Sequence, residues 1–435
     1  MNDVPPTTHG TARGGLESHR GTLILILGIL SLTLCTLFTG IPAWIMGKGD
    51  LEKIRTGMMD PKGEGMSKAG MICGIISTIL GVLCIGFYAV VDLATILISA
   101  EPLTFANILK LTSDWLWGMP LLVLLIGGGV FFMVYSRFTP FLHLWHSIQI
   151  LRGKYSDPND PGEINHFQAL CSALSGTVGM GNIGGVAVAV TAGGPGALFW
   201  MWVCALVGMA TKFFTCSLAV MYRGRDDQGQ VQGGPMYFIV EGLGAKWKPL
   251  AMAFCFFGVF GCLPLFSSNQ LTAFVTEMFF KPNDWFVGAD KNVTALGQGL
   301  FGAAMALFVG TVIFGGIKRI GKVAARLVPF MVLLYGGCAL VILFTHAGQV
   351  PEAIALIFRD AFTGAAVAGG VLGAVISTGV RRAAFSNEAG MGTEAMAHGA
   401  AKTKEPIREG LVAMLGPMID TLIVCTITGL IILST

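Results

Sequence analysis

Charge is scarce in this chain. Asp, Glu, Lys and Arg make up 12% of its 435 residues, about half the ~25% usual in soluble domains. Lys+Arg number 28 against 25 Asp+Glu, which leaves no basic surplus for a nucleic-acid groove. Cysteine motifs are absent too. The ten Cys stand singly in apolar stretches and none forms C-x-x-C, so a zinc site or disulfide framework has no support. Neither H-E-x-x-H nor G-x-S-x-G occurs, and no nucleophile–base set takes their place. The chain is therefore not read as an enzyme. His143 and His146 stand at i, i+3, but no carboxylate or Cys accompanies them to complete a metal set. The first twenty residues are polar, unlike a cleaved signal peptide.

Apolar residues fill the rest. The chain is 54% hydrophobic, its mean hydropathy is +0.71, and its 60 Gly follow no collagen period. These features describe an all-α polytopic membrane protein. Ten runs have the ~20 mainly apolar residues a crossing needs: 22–46, 69–98, 118–136, 165–192, 197–222, 249–280, 297–317, 326–346, 366–393 and 407–433. Basic residues test this map. Of the 28 Lys and Arg, 21 fall in one set of alternate loops and six in the other, with Lys212 inside a span. The positive-inside rule then puts the N-terminus outside a cell membrane. Residues 1–100 read as an accessory two-helix membrane domain, 101–117 as an interfacial linker, and 118–435 as the main domain.

Two segments are polar where the bilayer should be. In 167–196, Ser175, Thr177 and Asn182 are set among Gly176, Gly179, Gly181, Gly184 and Gly185. Each glycine disfavours helix by ~1 kcal/mol relative to Ala. Unwound backbone at membrane depth is tolerated only around a polar cavity or inside protein, and broken helices of this kind form transporter sites. Close helix packing on small residues is the competing reading, and it explains the Ser, Thr and Asn less well. The spacing Gly179-x-Gly181-x-x-Gly184 matches the dinucleotide fingerprint, but it lacks the strand, the amphipathic helix and the later acid that motif needs. Segment 377–401 has the same character, with Ser386, Asn387 and Glu388 ahead of Gly390 and Gly392. Arg381, Arg382 and Glu388 also read as an ordinary loop charge group. Asp420 lies deep in the last span and is a functional candidate by position, or else half of a structural pair. Lys212 is close enough to a membrane rim to snorkel.

The stretches GTVGMGNIGGVAVAVTAGGPGALFWMWV (176–203), GMATKFF (208–214), GGPMYFI (233–239), GGIKRIGKVA (315–324) and FSNEAGMGTEAMAH (385–398) resemble the alanine or glycine:cation symporter family, the sodium:alanine symporters. Residues 40–57 and 65–81 resemble a small two-helix bacterial membrane domain of unknown function. Thr215 departs from the family, whose members commonly carry Glu there. The resemblance implies the inverted-repeat, five-plus-five helix fold of the bacterial leucine transporter, preceded by an extra helix at 118–136. It implies eleven helices from that one, of which eight are read before Thr435, so the fold is expected to be incomplete at its C-terminus or completed by a partner chain. It further implies Na⁺ ligands at Thr177, Asn182 and Ser386 and at the carbonyls of Ser175 and Val178; Asp420 joins them as a metal candidate by its position in the last span alone. Substrate contacts are implied at Thr177, Gly179, Gly181, Asn182, Phe385, Gly390 and Met391. The expected function is Na⁺-coupled symport of a small neutral amino acid, alanine or glycine, across the lipid bilayer, with H⁺ as the other candidate ion. A truncated, non-transporting binding or assembly protein is the alternative.

Overall fold

Thirteen residues of α-helix rise about 20 Å, short of the ~30 Å hydrocarbon core, and the first helix of the first apolar run is no longer than that. A computed structural model describes residues 18–33, 36–79, 81, 104–226, 229–288, 292–362 and 371–435. In it the run forms two helices, α1 (Gly21–Thr33) and α2 (Thr36–Arg55). They are antiparallel, because Arg20 at the head of α1 pairs with buried Asp50 far along α2. A third helix, α3 (residues 64–79), packs against both. A Cβ on Gly70 would lie 2.4 Å from the Ile24 carbonyl oxygen, and Ser77 Oγ donates to Ser31 Oγ at 2.6 Å. The single span expected at 22–46 is thus corrected to a helical hairpin. The alternation that set the N-terminus outside loses its first crossing with it. Most of the second expected span, 69–98, lies outside the described residues.

The chain divides into two compact units, Met1–Thr104 and Phe105–Thr435. The second opens with α4 (Phe105–Leu116). Met119–Leu122 and a π segment, Val123–Gly127, then lead into α5 (Gly128–Tyr135). After α6 (Leu144–Leu151) comes a bent pair, α7 (His166–Thr177) and α8 (Met180–Gly193), which meet at 44°. Next is α9 (Ala197–Met221), buried along most of its length. A two-stranded hairpin, β1 (Gly224–Arg225) with β2 (Val231–Gln232), follows it. Helices α10 (Pro235–Leu243), α11 (Lys248–Gly261), α12 (Leu265–Val275), α13 (Ala295–Ile313), α14 (Gly316–Thr345) and α15 (Val350–Phe362) come next. The chain then forms α16 (Val371–Asn387), α17 (Thr393–Gly399) and α18 (Pro406–Ala413). A π segment, Met418–Cys425, runs on into α19 (Thr426–Ser434).

Five described helices are long and apolar enough to cross a membrane, or six if the bent pair counts as one. Three further expectations differ from what is found. The span at 249–280 is broken between α11 and α12, where Pro264 has no N–H to continue the helix. The basic loop expected at 318–325 is helical, forming the first turns of α14, which continues through both Gly321 and Pro329. The span at 366–393 lies partly in 363–370, outside the described residues. Its remainder forms α16 and ends at Asn387.

Glycines let the core helices meet. A Cβ on Gly379 would fall 2.5 Å from the Ala197 carbonyl, and one on Gly410 2.5 Å from that of Phe213. Helices α16 and α18 therefore lie directly on α9. By contrast α13 and α14 expose long apolar faces, including Phe308 and Leu333, as helices bathed by lipid do.

Candidate functional site

Helix α7 begins with a capping box. Gln168 N–H donates to Asn165 Oδ1 at 2.8 Å, and Gln168 Oε1 accepts from Asn165 N–H at 3.1 Å. Eleven residues later the helix stops at Thr177, and Val178 turns to extended backbone, φ −74°, ψ 107°. The restart at Met180 leaves Gly179 N–H outside either helix. Asn182 Oδ1 accepts it at 2.7 Å.

That bond fixes the Asn182 side chain. Its Nδ2 then faces Asp420 Oδ1 at 2.7 Å, the Asp420 carbonyl at 3.1 Å, Ser386 Oγ at 3.2 Å and Cys425 Sγ at 3.3 Å. Ser386 Oγ donates to Asp420 Oδ2 at 2.8 Å, and Thr421 Oγ1 donates to the same oxygen at 2.9 Å. Asn387 Nδ2 bonds Thr421 Oγ1 at 3.1 Å. Asn182, Ser386, Asn387, Asp420 and Thr421 are all buried. The cluster joins three elements: α8, the end of α16, and the π segment of the last span. Close approach is necessary there, since a Cβ on Gly181 would lie 3.1 Å from Ser386 Cα.

The cluster has more acceptors than donors. An amide Nδ2 carries two N–H groups, yet four acceptors converge on it. A carboxylate, a hydroxyl and a main-chain carbonyl around one point form a set that hard cations favour. The oxygens present are of the kind that fit a hard cation.

The structure brings Asn182, Ser386 and Asp420 together. Gly179 and Val178 border an adjoining cavity of about 100 Å³, lined also by Asn182, Ile183, Met331, Val332, Tyr335 and Val424. Tyr335 bonds Thr428 Oγ1 at 2.6 Å. Thr177 is buried beside the break, its hydroxyl turned back to the Leu174 carbonyl at 3.4 Å. Ser175 lies inside α7, bonded to the Ser172 carbonyl at 2.7 Å. Phe385 is half exposed, its ring 6.4 Å from that of Trp117. Gly390 and Met391 belong to the second break, residues 388–392, where Glu388, Gly390 and Gly392 have φ of +52°, +89° and +82°. Thr211 and Leu125 border Gly390, and no bond links it to the cluster.

Two participants carried no signal in the sequence: Thr421 and Cys425. Cys425 stands five residues after Asp420, off its face in an ordinary helix. The π segment Met418–Cys425 has i→i+5 bonding and brings the two to one side. At Thr215, where the family commonly carries Glu, the hydroxyl donates to Glu394, buried on α17, at 3.3 Å.

Comparison with known proteins adds to this. The sodium:alanine symporter family model matches residues 103–435. The sodium/alanine symporter AgcS of Methanococcus maripaludis is 42% identical over 333 residues, covering 75% of this chain and 70% of that protein. A putative sodium/proton-dependent alanine carrier protein of Bacillus subtilis, YrbD, is 40% identical over 329 residues, covering 74% and 62%. The probable sodium/glutamine symporter GlnT of Bacillus subtilis is 36% identical over 327 residues, covering 75% and 65%.

Proposed function

The chain belongs to the sodium:alanine symporter family, and from that premise we propose that it carries Na⁺ and a small neutral amino acid together across the membrane. The observation that carries this reading is the buried convergence of Asn182, Ser386 and Asp420. In it the cation takes the place now held by the Asn182 amide hydrogens, with Asp420 as its charged ligand. The two breaks, Val178–Gly179 and 388–392, flank this point and form the unwound centres of an inverted repeat, as in the leucine-transporter fold. Alternating access then exposes the site to either side by moving the bundle that holds the breaks.

Alanine suits the cavity better than glutamine. About 100 Å³ lined by Val178, Ile183, Met331, Val332 and Val424 accepts a methyl group. Its polar side chains are already engaged: the Tyr335 hydroxyl with Thr428, and the Asn182 amide with Gly179 N–H and Asp420. The substrate carboxylate is received by backbone N–H at the first break, with Gly179 N–H released by Asn182 when the ion binds. One Na⁺ moved with a neutral zwitterion draws ~2.3 kcal/mol from each 100 mV of membrane potential, which corresponds to roughly fifty-fold accumulation.

The test is uptake into liposomes holding this chain, with an inward Na⁺ gradient imposed or withheld. Labelled alanine is expected to enter at least ten times faster with the gradient, and labelled glutamine to lag behind it. Equal uptake without the gradient would refute sodium coupling. Faster glutamine than alanine would refute the reading of the cavity.

A further inference from the structure

One lysine is enclosed next to the cation cluster and has no part in the account above. Lys212 on α9 is 2% exposed, so it does not snorkel as its place in the sequence suggested. Among the described residues, no hydrogen bond and no ion pair reaches its ammonium. A Cβ on Gly416 would lie 3.4 Å from Lys212 Nζ. Gly416 comes just before the π segment that carries Asp420. Asp420 follows it about one helical turn further along the same face. The ammonium is therefore set against the span of Asp420, a turn short of the cluster.

The same stretch of α9 also packs on the second break. A Cβ on Gly208 would lie 2.9 Å from Ala389 Cβ, and one on Gly390 would lie 3.9 Å from Thr211 Cγ2. Three carboxylates border this wedge, and uncharged donors hold each of them. Asp420 accepts from Asn182, Ser386 and Thr421. Glu388 accepts from Thr393 Oγ1 at 2.5 Å, and Glu394 from Thr215 Oγ1. Among the described residues none of the three is ion-paired. The Lys212 charge acts on both Asp420 and Glu388.

We propose that Lys212 is the counter-ion of Asp420 while the cluster holds no sodium, and that its charge opposes the sodium that enters. A buried ammonium and a buried carboxylate are each costly alone, and each loses much of that cost beside the other. Burial favours Asp420 as the partner. It is fully enclosed, whereas Glu388 is partly exposed, so water shares the charge of Glu388. Sodium at the cluster is a second cation beside the same carboxylate, and the two repel. Lys212 thus weakens sodium binding and favours sodium release. Its opposition to sodium rests on the reading of the cluster given above; its pairing with Asp420 does not.

The test has two arms on the purified full chain. The first is melting in sodium-free choline buffer. Lys212→Met keeps a stem of similar bulk and removes the charge. In wild type it is expected to lower the melting temperature by about 3 °C or more, since Asp420 is left buried without its counter-ion. In Asp420→Asn the same substitution is expected to lower it by less than half as much, or to raise it. In Glu388→Gln and in Glu394→Gln the full drop is expected to remain. An equal change in the wild-type and Asp420→Asn backgrounds overturns the pairing. So does a drop that vanishes in either glutamine background instead. Should Lys212→Met alone fail to fold, a folded Lys212→Met/Asp420→Asn double variant supports the pairing, and a double variant that also fails overturns it.

The second arm is equilibrium binding of radioactive sodium. Lys212→Met is expected to bind sodium at least about threefold more tightly than wild type, because a like charge has left the site. Lys212→Arg keeps the charge and is expected to bind as wild type does. A residue that only held the fold together would weaken binding on removal, so equal or weaker binding by folded Lys212→Met overturns the opposition to sodium. No sodium binding by any of the proteins would refute the sodium reading of the cluster, while the melting arm would still decide the pairing.

Discussion

At the scale of single residues, Asn182 and Asp420 divide the work. Asn182 reads the break through Gly179 N–H and aims its amide at Asp420. Asp420 supplies the only carboxylate bonded to the cluster among the described residues. Replacing Asn182 by Ala removes the donor to Asp420 and leaves Gly179 N–H without its acceptor, at about 1–3 kcal/mol. The half-saturating Na⁺ concentration for uptake is expected to rise at least tenfold, measured by titrating the external ion. Thr421→Val removes a hydroxyl that Asp420 Oδ2 and Asn387 Nδ2 both use. It is expected to lower the melting temperature of the purified protein and to shift the Na⁺ titration less than Asn182→Ala does. Asp420 was legible because an ionisable group deep in a span stands out in any sequence. Its partners were not. Thr421 and Cys425 are ordinary small residues of an apolar helix until the π segment turns them inward.

Among the elements, backbone decides what can meet. The break after Thr177 was legible from its glycines and polar residues, and the second break from Gly390 and Gly392, which both adopt the left-handed region. The hairpin of α1 and α2 was not legible, because its two arms form one uninterrupted apolar run. Neither was the interruption before α12, where Pro264 and the polar run Ser267–Gln270 fall within a stretch read as one span. Contact between α9 and α18 depends on Gly410, whose Cβ would meet the Phe213 carbonyl at 2.5 Å. Backbone cannot yield there as a flexible side chain would. Gly410→Ala is expected to destabilise the second unit by about 1–3 kcal/mol, read as a fall in melting temperature. Gly181→Ala presses on Ser386 at 3.1 Å. The milder clash is expected to weaken Na⁺ binding several-fold, with little change in melting.

Over the whole molecule, two units with separate cores share one chain, and the family match falls on the second. A chain starting at Thr104 is expected to keep its Na⁺ affinity within about twofold, since every residue of the cation cluster lies in Phe105–Thr435. That the molecule is a polytopic membrane protein followed from composition alone, because so little charge and so much apolar length leave no soluble core to build. How its helices converge did not follow, because Asn182 and Asp420 lie 238 residues apart and no local pattern links them. The central claim is that this convergence holds sodium. Equilibrium binding of radioactive sodium to the purified full chain, wild type beside Asp420→Asn, tests it most directly. Saturable binding in wild type, weakened at least tenfold in the folded variant, is the predicted result. Equal binding by the two proteins would contradict the account.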